Sequence, residues 1–286
     1  MDLLTKIDLH MHSTCSDGTD TPEQLLENVR KAGITFFSVT DHDSVEAAGM
    51  MADIRSVNDP FFISGVELSC KDEDGQYHIL GYAIDPQARP IRNVVHKAHN
   101  IRMDKVAMRL RKLKEDFGIT FPEEEVELLL AQPNPGKPHI GNLMVRYGYT
   151  ESKEQAFREY LNDMRIPSGY VRPEEAIKAI LDSGCVPVLA HQFYGSGDQL
   201  ILGAEMEERL RKLVRFGLEG TEAYYSGFTE KLTRQMLALA DAFGLYVTAG
   251  SDYHGTNKMV KLGETGLEET TERPENLRRF IGRIMK

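Results

Sequence analysis

The feature that most constrains the fold is a unit of helix, glycine and short apolar run near the start of the chain. Thr21 precedes Pro22 and Gln24, the order expected for an N-cap, a proline at the first helical position and a capping-box partner. The helix is predicted to end at Gly33, a residue type that often terminates helices. Residues 34–40 are apolar and β-rich, so we predict a buried strand there.

The same unit returns three times in the second half of the chain. Each time a predicted helix ends at a glycine and an apolar run follows: Gly184 with 186–190, Gly217 with 219–225, and Gly244 with 245–249. This alternation predicts an α/β fold with a parallel sheet or barrel. Such folds keep their active sites at the carboxyl ends of the strands, so polar residues just after the runs are functional candidates.

Two other segments interrupt the alternation. Residues 61–67 and 76–82 flank the turn-like segment 72–75, which predicts a β-hairpin that brings Glu67 close to His78. Residues 88–170 instead predict helices over 91–117, 122–130, 138–147 and 152–162. We therefore predict a barrel from residues 1–87 and 171–286, and a helical insertion at 88–170 that acts as a substrate lid. The alternative is that these helices only support the barrel.

The side chains after the predicted strands include many metal-ligand types. His10 and His12 alternate along an extended segment and would face the same side, as half of a zinc, manganese or iron site. Alone, such a pair is more often two ordinary histidines. However, six of the nine histidines fall among the strand-end candidates, which scattered core histidines would not do. The full candidate set is His10, His12, Asp17, His42, Glu67, His78, His191, Asp252 and His254.

Composition excludes several classes of function. The 286 residues include no apolar run long enough for a membrane span and no secretory signal, and three cysteines do not suggest a disulfide framework. We therefore expect a cytoplasmic protein without membrane partners. The formal net charge of −10 disfavours binding to long nucleic acid. An anionic small substrate is compatible with this charge if bound divalent cations reverse its sign locally.

The ordered motifs resemble those of a known superfamily. His10-x-His12, Thr40-Asp41-His42, Gly65-x-Glu67, Ala190-His191 and Asp252-x-His254 are similar to the motifs of the PHP (polymerase and histidinol phosphatase) superfamily. The segment 136–140 resembles the subgroup related to small nucleotide phosphatases. The resemblance covers nearly the whole chain and implies a distorted (β/α)7-type barrel with a centre of two to three divalent metal ions (manganese, zinc or iron).

The resemblance also implies a ligand set for each ion. One ion would be held by His10, His12, Glu67 and Asp252; a second by Glu67, His78 and His191; and a third by Asp17, His42 and His254. Asp41 would orient a ligand rather than bind metal. Within this set, Asp252, His191 and His254 are the residues to which a direct catalytic role would fall, although a histidine that binds metal is poorly placed to donate a proton.

The implied reaction is hydrolysis of a small phosphate ester, a nucleotide or sugar phosphate, by a metal-bound hydroxide. The alternatives are a phosphodiesterase acting on a cyclic ribose phosphate or short oligonucleotides, a histidinol-phosphatase-like monoesterase, and a non-catalytic PHP module. The complete ligand set argues against the last of these. The oligomeric state is left open by the sequence.

Substrate contacts are predicted mainly from the insertion. Arg102, Lys137 and His139 are the leading candidates, with Arg109 and Arg165 behind them, although most such cations are simply solvated. Gln192 stands where the family usually has proline, and its amide is either a substrate contact or a tolerated loop variant.

Several other residues have ordinary roles as their leading interpretation. Tyr170 and Phe193 are stacking candidates that are more often core residues. His96 and His99 are expected on a solvated helix face, and Cys15 in packing.

Overall fold

The computed structural model describes residues 4–194, 200–270 and 273–285. Seven strands form one sheet in chain order, from β1 to β7. They are β1 Ile7–Asp8, β2 Phe36–Val39, β3 Phe61–Asp72, β4 Gly75–Tyr82, β5 Val186–Leu189, β6 Gly220–Tyr225 and β7 Tyr246–Gly250. Every apolar run that the sequence singled out therefore contains a strand.

The sheet curls into a nearly closed barrel. Pairing is parallel from β1 to β3 and from β5 to β7, while β4 is antiparallel to both of its neighbours. Backbone hydrogen bonds join the two ends of the sheet: Leu9 donates to Ala249 and Asp252 donates to His10. The predicted α/β barrel is confirmed, and its distortion comes from the β3–β4 hairpin, which has no helix between its strands.

Because only β4 runs the other way among these seven strands, the other six have their carboxyl ends at one rim, and helices pack around them. Thr21 caps the first helix and forms the predicted capping box with Gln24. The helices are α1 Pro22–Lys31, α2 Glu46–Ile54, α3 Arg89–Phe117, α4 Glu123–Leu130, α5 Lys137–Arg146, α6 Lys153–Ala156 (continuing as a π-helical turn, Phe157–Leu161), α7 Pro173–Asp182, α8 Gly203–Arg215, α9 Glu230–Phe243 and α10 Glu275–Ile284. Helix α2 was not predicted from the sequence, and its N-cap Val45 makes no side-chain capping bond.

The barrel and the helices inserted between β4 and α7 have separate apolar clusters. The barrel cluster includes Leu9, Val188 and Ala249, which pack between the strands and the surrounding helices. Helices α3 to α6, which we call the insertion helices, bury their own cluster around Val106, Leu143 and other residues. This packing agrees with a helical module beside the barrel, while the boundaries 88 and 170 remain a prediction.

None of the described helices is both long enough and apolar enough to cross a membrane.

Candidate metal centre

The nine predicted ligands meet at one rim of the barrel. His10 and His12 follow β1, His42 follows β2, His191 follows β5, and Asp252 and His254 follow β7, while Glu67 and His78 lie within the β3–β4 hairpin. Leu9 and Met11, which alternate with the two histidines, are fully buried in the core. Strand β1 ends at Asp8, before the two histidines, but Met11 pairs with Tyr253 beyond it.

Glu67 lies at the middle of the cluster. Its Oε2 is 3.3 Å from His10 Nε2, 3.2 Å from His12 Nε2 and 3.0 Å from His42 Nδ1. Its Oε1 is 2.9 Å from His78 Nδ1 and 3.1 Å from His191 Nε2. One carboxylate therefore touches five imidazoles, which is the arrangement expected of a ligand that bridges two cations.

Ordinary hydrogen bonds do not satisfy this cluster. His10 Nε2, His12 Nε2, His42 Nδ1 and Glu67 Oε2 are buried, and each lacks a partner with hydrogen-bond geometry in the described chain. Leaving such atoms unpaired is costly. Imidazole nitrogens and carboxylate oxygens that converge in this way suit manganese, zinc or iron. The residues present therefore fit divalent metal ions.

A second group of ligands lies on the outer side of His12. One donor atom from each of four residues lies within 4.8 Å of the others, and the four are His12, Asp17, His42 and His254. His254 Nε2 is 3.3 Å from Asp17 Oδ1. We call these four residues the outer ligand group. Because His12 and His42 also touch Glu67, the assignment of each residue to one ion stays a prediction.

The orientation of two histidines is fixed from behind by hydrogen bonds. His10 Nδ1 is 3.0 Å from Glu222 Oε1, so a hydrogen bond there leaves Nε2 facing Glu67. His254 Nδ1 is 2.8 Å from the carbonyl of Asp252, which likewise leaves its Nε2 for the centre. Metal-binding histidines usually have such a partner on the second ring nitrogen.

Glu222 is the main residue that the sequence analysis missed. It is fully buried in β6, and its Oε2 also accepts a hydrogen bond from the backbone N–H of His191 at 2.9 Å. Ligands were predicted at positions just past the strands, whereas Glu222 lies inside one. A glutamate within a buried run was the available signal. Gly250 is needed beside it, because a Cβ at that position would overlap His10 and Glu222.

The ligand loops depend on further buried carboxylates. Asp41 accepts hydrogen bonds from the backbone N–H and hydroxyl of Ser13 and from the hydroxyl of Ser16, so it holds the loop that carries Asp17.

Two of the candidate ligands have a positive φ although they are not glycine: His191 with 24° and Asp252 with 58°. Such backbone strain is typical of functional sites, where the surroundings maintain it.

The electrostatics of the centre favour cations. Burial alone would lower the pKa of His12, but contacts with Asp252 and Glu67 outweigh it and raise this pKa to about 9. For His10, burial is likewise outweighed by Glu67, Glu222 and Asp252, which raise its pKa well above the ordinary value. Protons and metal ions compete for the same nitrogens, so an acid-rich cluster that attracts protons also attracts metal.

A lysine not anticipated from the sequence borders the centre. Lys258 Nζ contacts Asp252 Oδ2 and lies 3.0 Å from the hydroxyl of Tyr225, which itself donates to Asp252 Oδ2 at 3.1 Å. These contacts occupy the outer oxygen of Asp252. Its Oδ1 remains 3.2 Å from His12 Nε2, facing the ligand cluster.

Two cavities meet at the ligands. The first, of about 360 Å³, extends towards α3 and α5 and contains four cationic side chains; we call it the basic cavity. The second, of about 430 Å³, extends towards β5 and α8; we call it the aromatic cavity after Tyr77, Phe157, Tyr194 and Tyr225. Asp17, His42 and His78 line both cavities. A molecule on the ligand cluster can therefore extend in either direction.

The cations of the basic cavity are Arg102, Lys105, Arg109 and Lys137. Only one of these four has a carboxylate partner in the described chain, since Arg102 pairs with Asp43 at 2.8 Å. Burial and neighbouring positive charge lower the pKa of Lys105 to about 8, that of Arg109 to about 10 and that of Lys137 to about 8. Closely placed cations without counter-ions are characteristic of an anion site.

The predicted substrate contacts fall into two groups. Arg102, Arg109 and Lys137 line the basic cavity, and Gln192 lines the aromatic cavity. Gln192 Nε2 donates to the carbonyl of Glu222 at 3.0 Å, so this amide also anchors the loop. His139 lines neither cavity, and its Nδ1 instead accepts the N–H of Gly136 at the start of α5.

The remaining candidates have mostly structural roles. Arg165 is exposed outside both cavities, and Tyr170 lies 3.8 Å under Lys105 in the basic cavity. Phe193 is buried in the core, and Cys15 is buried with its pKa raised to about 11 by burial and Asp41. The prediction of a solvated face holds for His96 but is wrong for His99, which is half-buried against Asn134.

Comparison with curated proteins gives relatives along nearly the full chain. A 5'-3' exoribonuclease of Haemophilus influenzae is 28% identical over 268 residues, 91% of this chain and 93% of the relative. A phosphoribosyl 1,2-cyclic phosphate 1,2-diphosphodiesterase of Eggerthella lenta is 28% identical, with 87% and 94% covered. A 3',5'-nucleoside bisphosphate phosphatase of Chromobacterium violaceum is 26% identical, with 88% of each chain covered.

The fold comparison agrees with the sequence comparison. A crystal structure from Bifidobacterium adolescentis, provisionally assigned as a metal-dependent phosphoesterase, superposes with a TM-score of 0.81. It is 28% identical, and the match covers 97% of this chain and 96% of that one. The profile of the PHP domain matches residues 8–282, which include all nine predicted ligands. The chain therefore belongs to the PHP domain family.

Proposed function

We propose that this protein is a metal-dependent phosphoesterase that hydrolyses a small phosphate ester carrying a second anionic group. The observation that carries the proposal is that two sites of opposite charge adjoin each other. A buried cluster of carboxylates and imidazoles, centred on Glu67, adjoins a cavity with three cations, Lys105, Arg109 and Lys137, that pair with no carboxylate among the described residues. The cluster fits metal ions, and the cavity fits an anion.

Two to three divalent ions, held by the nine ligands, would supply the positive charge that neutralises the phosphoryl oxygens and activates the attacking water. The residues of the chain do the rest. Glu67 connects the inner ligands, and Glu222 fixes His10 and the His191 backbone. Asp252, His191 and His254 border the aromatic cavity, where a departing alcohol would leave.

The basic cavity would position the substrate. Arg109 Nε is buried and has no hydrogen-bond partner within the described part of the chain, and Lys105 lies over the ring of Tyr170, so both are available to an anionic oxygen. Lys137 is held by Asn162 at 3.0 Å and points its charge into the same space. A second phosphate or a carboxylate in this cavity would fix the distance between the anchor and the bond that is cut.

A phosphodiesterase acting on a cyclic ribose phosphate or on the end of a short oligonucleotide is the second candidate. The aromatic cavity of about 430 Å³ favours it, because it offers room beyond the ligands for a large leaving group. Tyr194 is 40% exposed there, and aromatic rings can stack on nucleobases. The same ligand cluster would serve both reactions.

Turnover of matched substrates by manganese-loaded protein tests the proposal. The panel is a nucleoside 3',5'-bisphosphate, the corresponding 3'- and 5'-monophosphates, a ribose 1,2-cyclic phosphate, histidinol phosphate and a 5'-phosphorylated trinucleotide. We expect kcat/KM for the substrates with a second anion to exceed that for the monophosphates by at least about tenfold, as one charged contact would give.

Inactivity on every phosphoester, with bound metal verified by elemental analysis, would refute a catalytic role. Equal rates on monophosphates and bisphosphates would leave a phosphoesterase but remove the second-anion specificity. Preference for the trinucleotide would select the diesterase candidate.

A further inference from the structure

The ligands are held in two different ways. Glu222, within the barrel, supports His10 and the His191 backbone. The loops that carry His42, Asp17 and His254 are instead contacted by residues from the insertion helices and their connecting loop. The outer ligand group is therefore the part of the centre that touches the insertion.

The first contact is Asn134, in the loop between α4 and α5. Asn134 is 1% exposed, and its Nδ2 donates to the backbone carbonyl of His42. Its Oδ1 lies 3.2 Å from His99 Nδ1 on α3, which fixes the orientation of the amide. The nitrogen and the oxygen of this buried amide therefore both have polar partners, and the nitrogen holds the backbone of His42.

The neighbouring residue strengthens this contact. Asp43 is buried with a φ of 50° and accepts hydrogen bonds from Arg102 Nε and Nη2 at 3.0 and 2.8 Å. The same carboxylate accepts the N–H of Ser69 on β3 at 2.8 Å. The segment containing His42 is therefore held between α3 and the barrel.

The second contact is Asn257, just after His254. Its Nδ2 donates to the carbonyl of Asp17 at 2.8 Å, so it ties together the loops of two outer ligands. From the insertion, Lys153 Nζ donates to the carbonyl and Oδ1 of Asn257 at 2.6 and 3.0 Å, and Asn142 donates to the same Oδ1 at 3.2 Å. Asn257 thus links α5 and α6 to the ligand loops.

We propose that Asn134 and Asn257 are positioning residues through which the insertion helices set the metal affinity of the outer ligand group. The inference rests on the proposed function in requiring bound divalent ions. Asp17, His42 and His254 lie on loops. If these loops were ordered only when an ion binds, the loss of conformational entropy would weaken binding. Hydrogen bonds from a packed helical module order these loops in advance. The inner ligands, held by Glu67 and Glu222, do not depend on this support.

Manganese binding by the full-length variants N134A and N257A tests the inference. Alanine removes each amide without changing the charge near the ions. Stoichiometry is measured by elemental analysis after dialysis at graded manganese concentrations, and affinity by titration calorimetry of the chelator-treated protein. We expect one class of ion to bind 10–100-fold more weakly, the usual effect of losing an outer hydrogen-bond partner, while the other ions are unchanged. D17A should lose the same class of ion.

K97A is the matched control. Lys97, on α3, forms an exposed ion pair with Glu175 on α7 at 2.6 Å, so its loss breaks a contact between the insertion helices and the barrel but touches no ligand loop. Its manganese binding should equal that of the unmodified protein. Thermal unfolding of the metal-free forms identifies a variant that has simply misfolded; N257A, on a half-exposed loop, then carries the test if N134A does not fold.

The inference is overturned if all ion classes weaken together, if neither variant weakens any, or if K97A weakens the same class. Because these measurements record binding rather than turnover, they stand apart from the test of activity. A protein that binds ions as expected but hydrolyses no phosphoester would refute the proposed function and leave the positioning role intact.

Discussion

The barrel and the insertion helices present opposite charges to the same space. On the barrel side, Glu67, Asp252 and Glu222 are buried with histidines around them. On the insertion side, Lys105, Arg109 and Lys137 line the basic cavity and form no ion pair with any residue that the structure describes. The net charge of −10 therefore does not describe the site, because the sign of the local charge changes within one connected cavity system.

Each side carries a charge that the other does not neutralise. The acids of the barrel raise the pKa values of His10 and His12, which shows an excess of negative charge there. On the insertion side, burial and mutual repulsion lower the pKa values of Lys105 and Lys137. Cations on the barrel side and an anion on the insertion side would relieve both. A substrate bound through its phosphoester to metal ions on the barrel side would place its second anionic group on the insertion side.

Substitution of Glu67, at the centre of the barrel side, should give the largest loss of activity. Replacement of Glu67 by Gln keeps the size of the side chain but removes the charge that five imidazoles share. We expect kcat/KM to fall by at least roughly 10³-fold and bound manganese to decrease, since the nucleophile and the phosphoryl charge both depend on the ions. Steady-state kinetics and elemental analysis measure these quantities.

Glu175→Gln is the control for that change, because Glu175 is exposed and pairs only with Lys97 among the described residues. If the Glu67→Gln protein keeps its metal and its activity, the Glu67 cluster has no part in the reaction.

A smaller loss of manganese affinity is expected from substitution of Glu222, which contacts the candidate ligand His10. In Glu222→Gln the side chain still accepts from the His191 N–H but loses the charge beside His10. We expect manganese affinity to fall by about 10–100-fold, as for other carboxylates that orient a metal-binding histidine. Activity should return as manganese is raised. Loss of activity that excess manganese does not restore would mean that Glu222 acts on the substrate rather than through His10.

The convergence of the candidate ligands could be predicted from the sequence because their position follows from the fold. Parallel strands in a barrel end at one rim, so His42, His191 and Asp252 were brought together by topology alone. Glu222 was not found by this rule, since it faces the centre from within β6. The rule locates what lies after a strand and not what a strand turns inward.

The insertion side was harder to predict because its chemistry depends on pairing between distant residues. Arg102 lines the basic cavity as a predicted substrate contact, but the sequence did not indicate that its Nε and Nη2 donate to Asp43, 59 positions away. Lys105 was not singled out, although it lies in the same cavity, where burial and Arg109 lower its pKa to about 8. Spacing on a helix shows which side chains share a face. It does not show which of them meets an acid across the fold.

On the insertion side, Arg109→Ala should affect one class of substrate. We expect KM for a nucleoside bisphosphate to rise about tenfold, the equivalent of ~1.4 kcal/mol, and KM for the monophosphate to change little. Lys112→Ala, on the same helix but paired with Asp116, is the matched control. Equal increases in KM for both substrates would show that Arg109 contacts the scissile phosphate or supports the cavity wall.

The smallest expected effect is a pH dependence of that same preference. Lys105 faces Arg109, Arg102, Lys71 and Asp43, and burial with the neighbouring cations lowers its pKa to about 8. A lowered lysine pKa means that the charged form is present below about pH 8 and is lost above it. The second phosphate is already fully ionised there. The preference for the bisphosphate should therefore decline several-fold between pH 7.5 and 9.5, values chosen to bracket this pKa.

Arginine at both lysine positions separates this effect from ionisation at the metal centre. The Lys105→Arg, Lys137→Arg double variant stays positively charged where the two lysines titrate, because a guanidinium loses its proton only at a higher pH than a lysine in the same place. Its ratio of KM values for the monophosphate and the bisphosphate should stay constant with pH, whereas that of the unmodified protein falls. Using the ratio cancels changes at the ligands, which both substrates share. A parallel decline in the two proteins would place the titrating group outside the basic cavity.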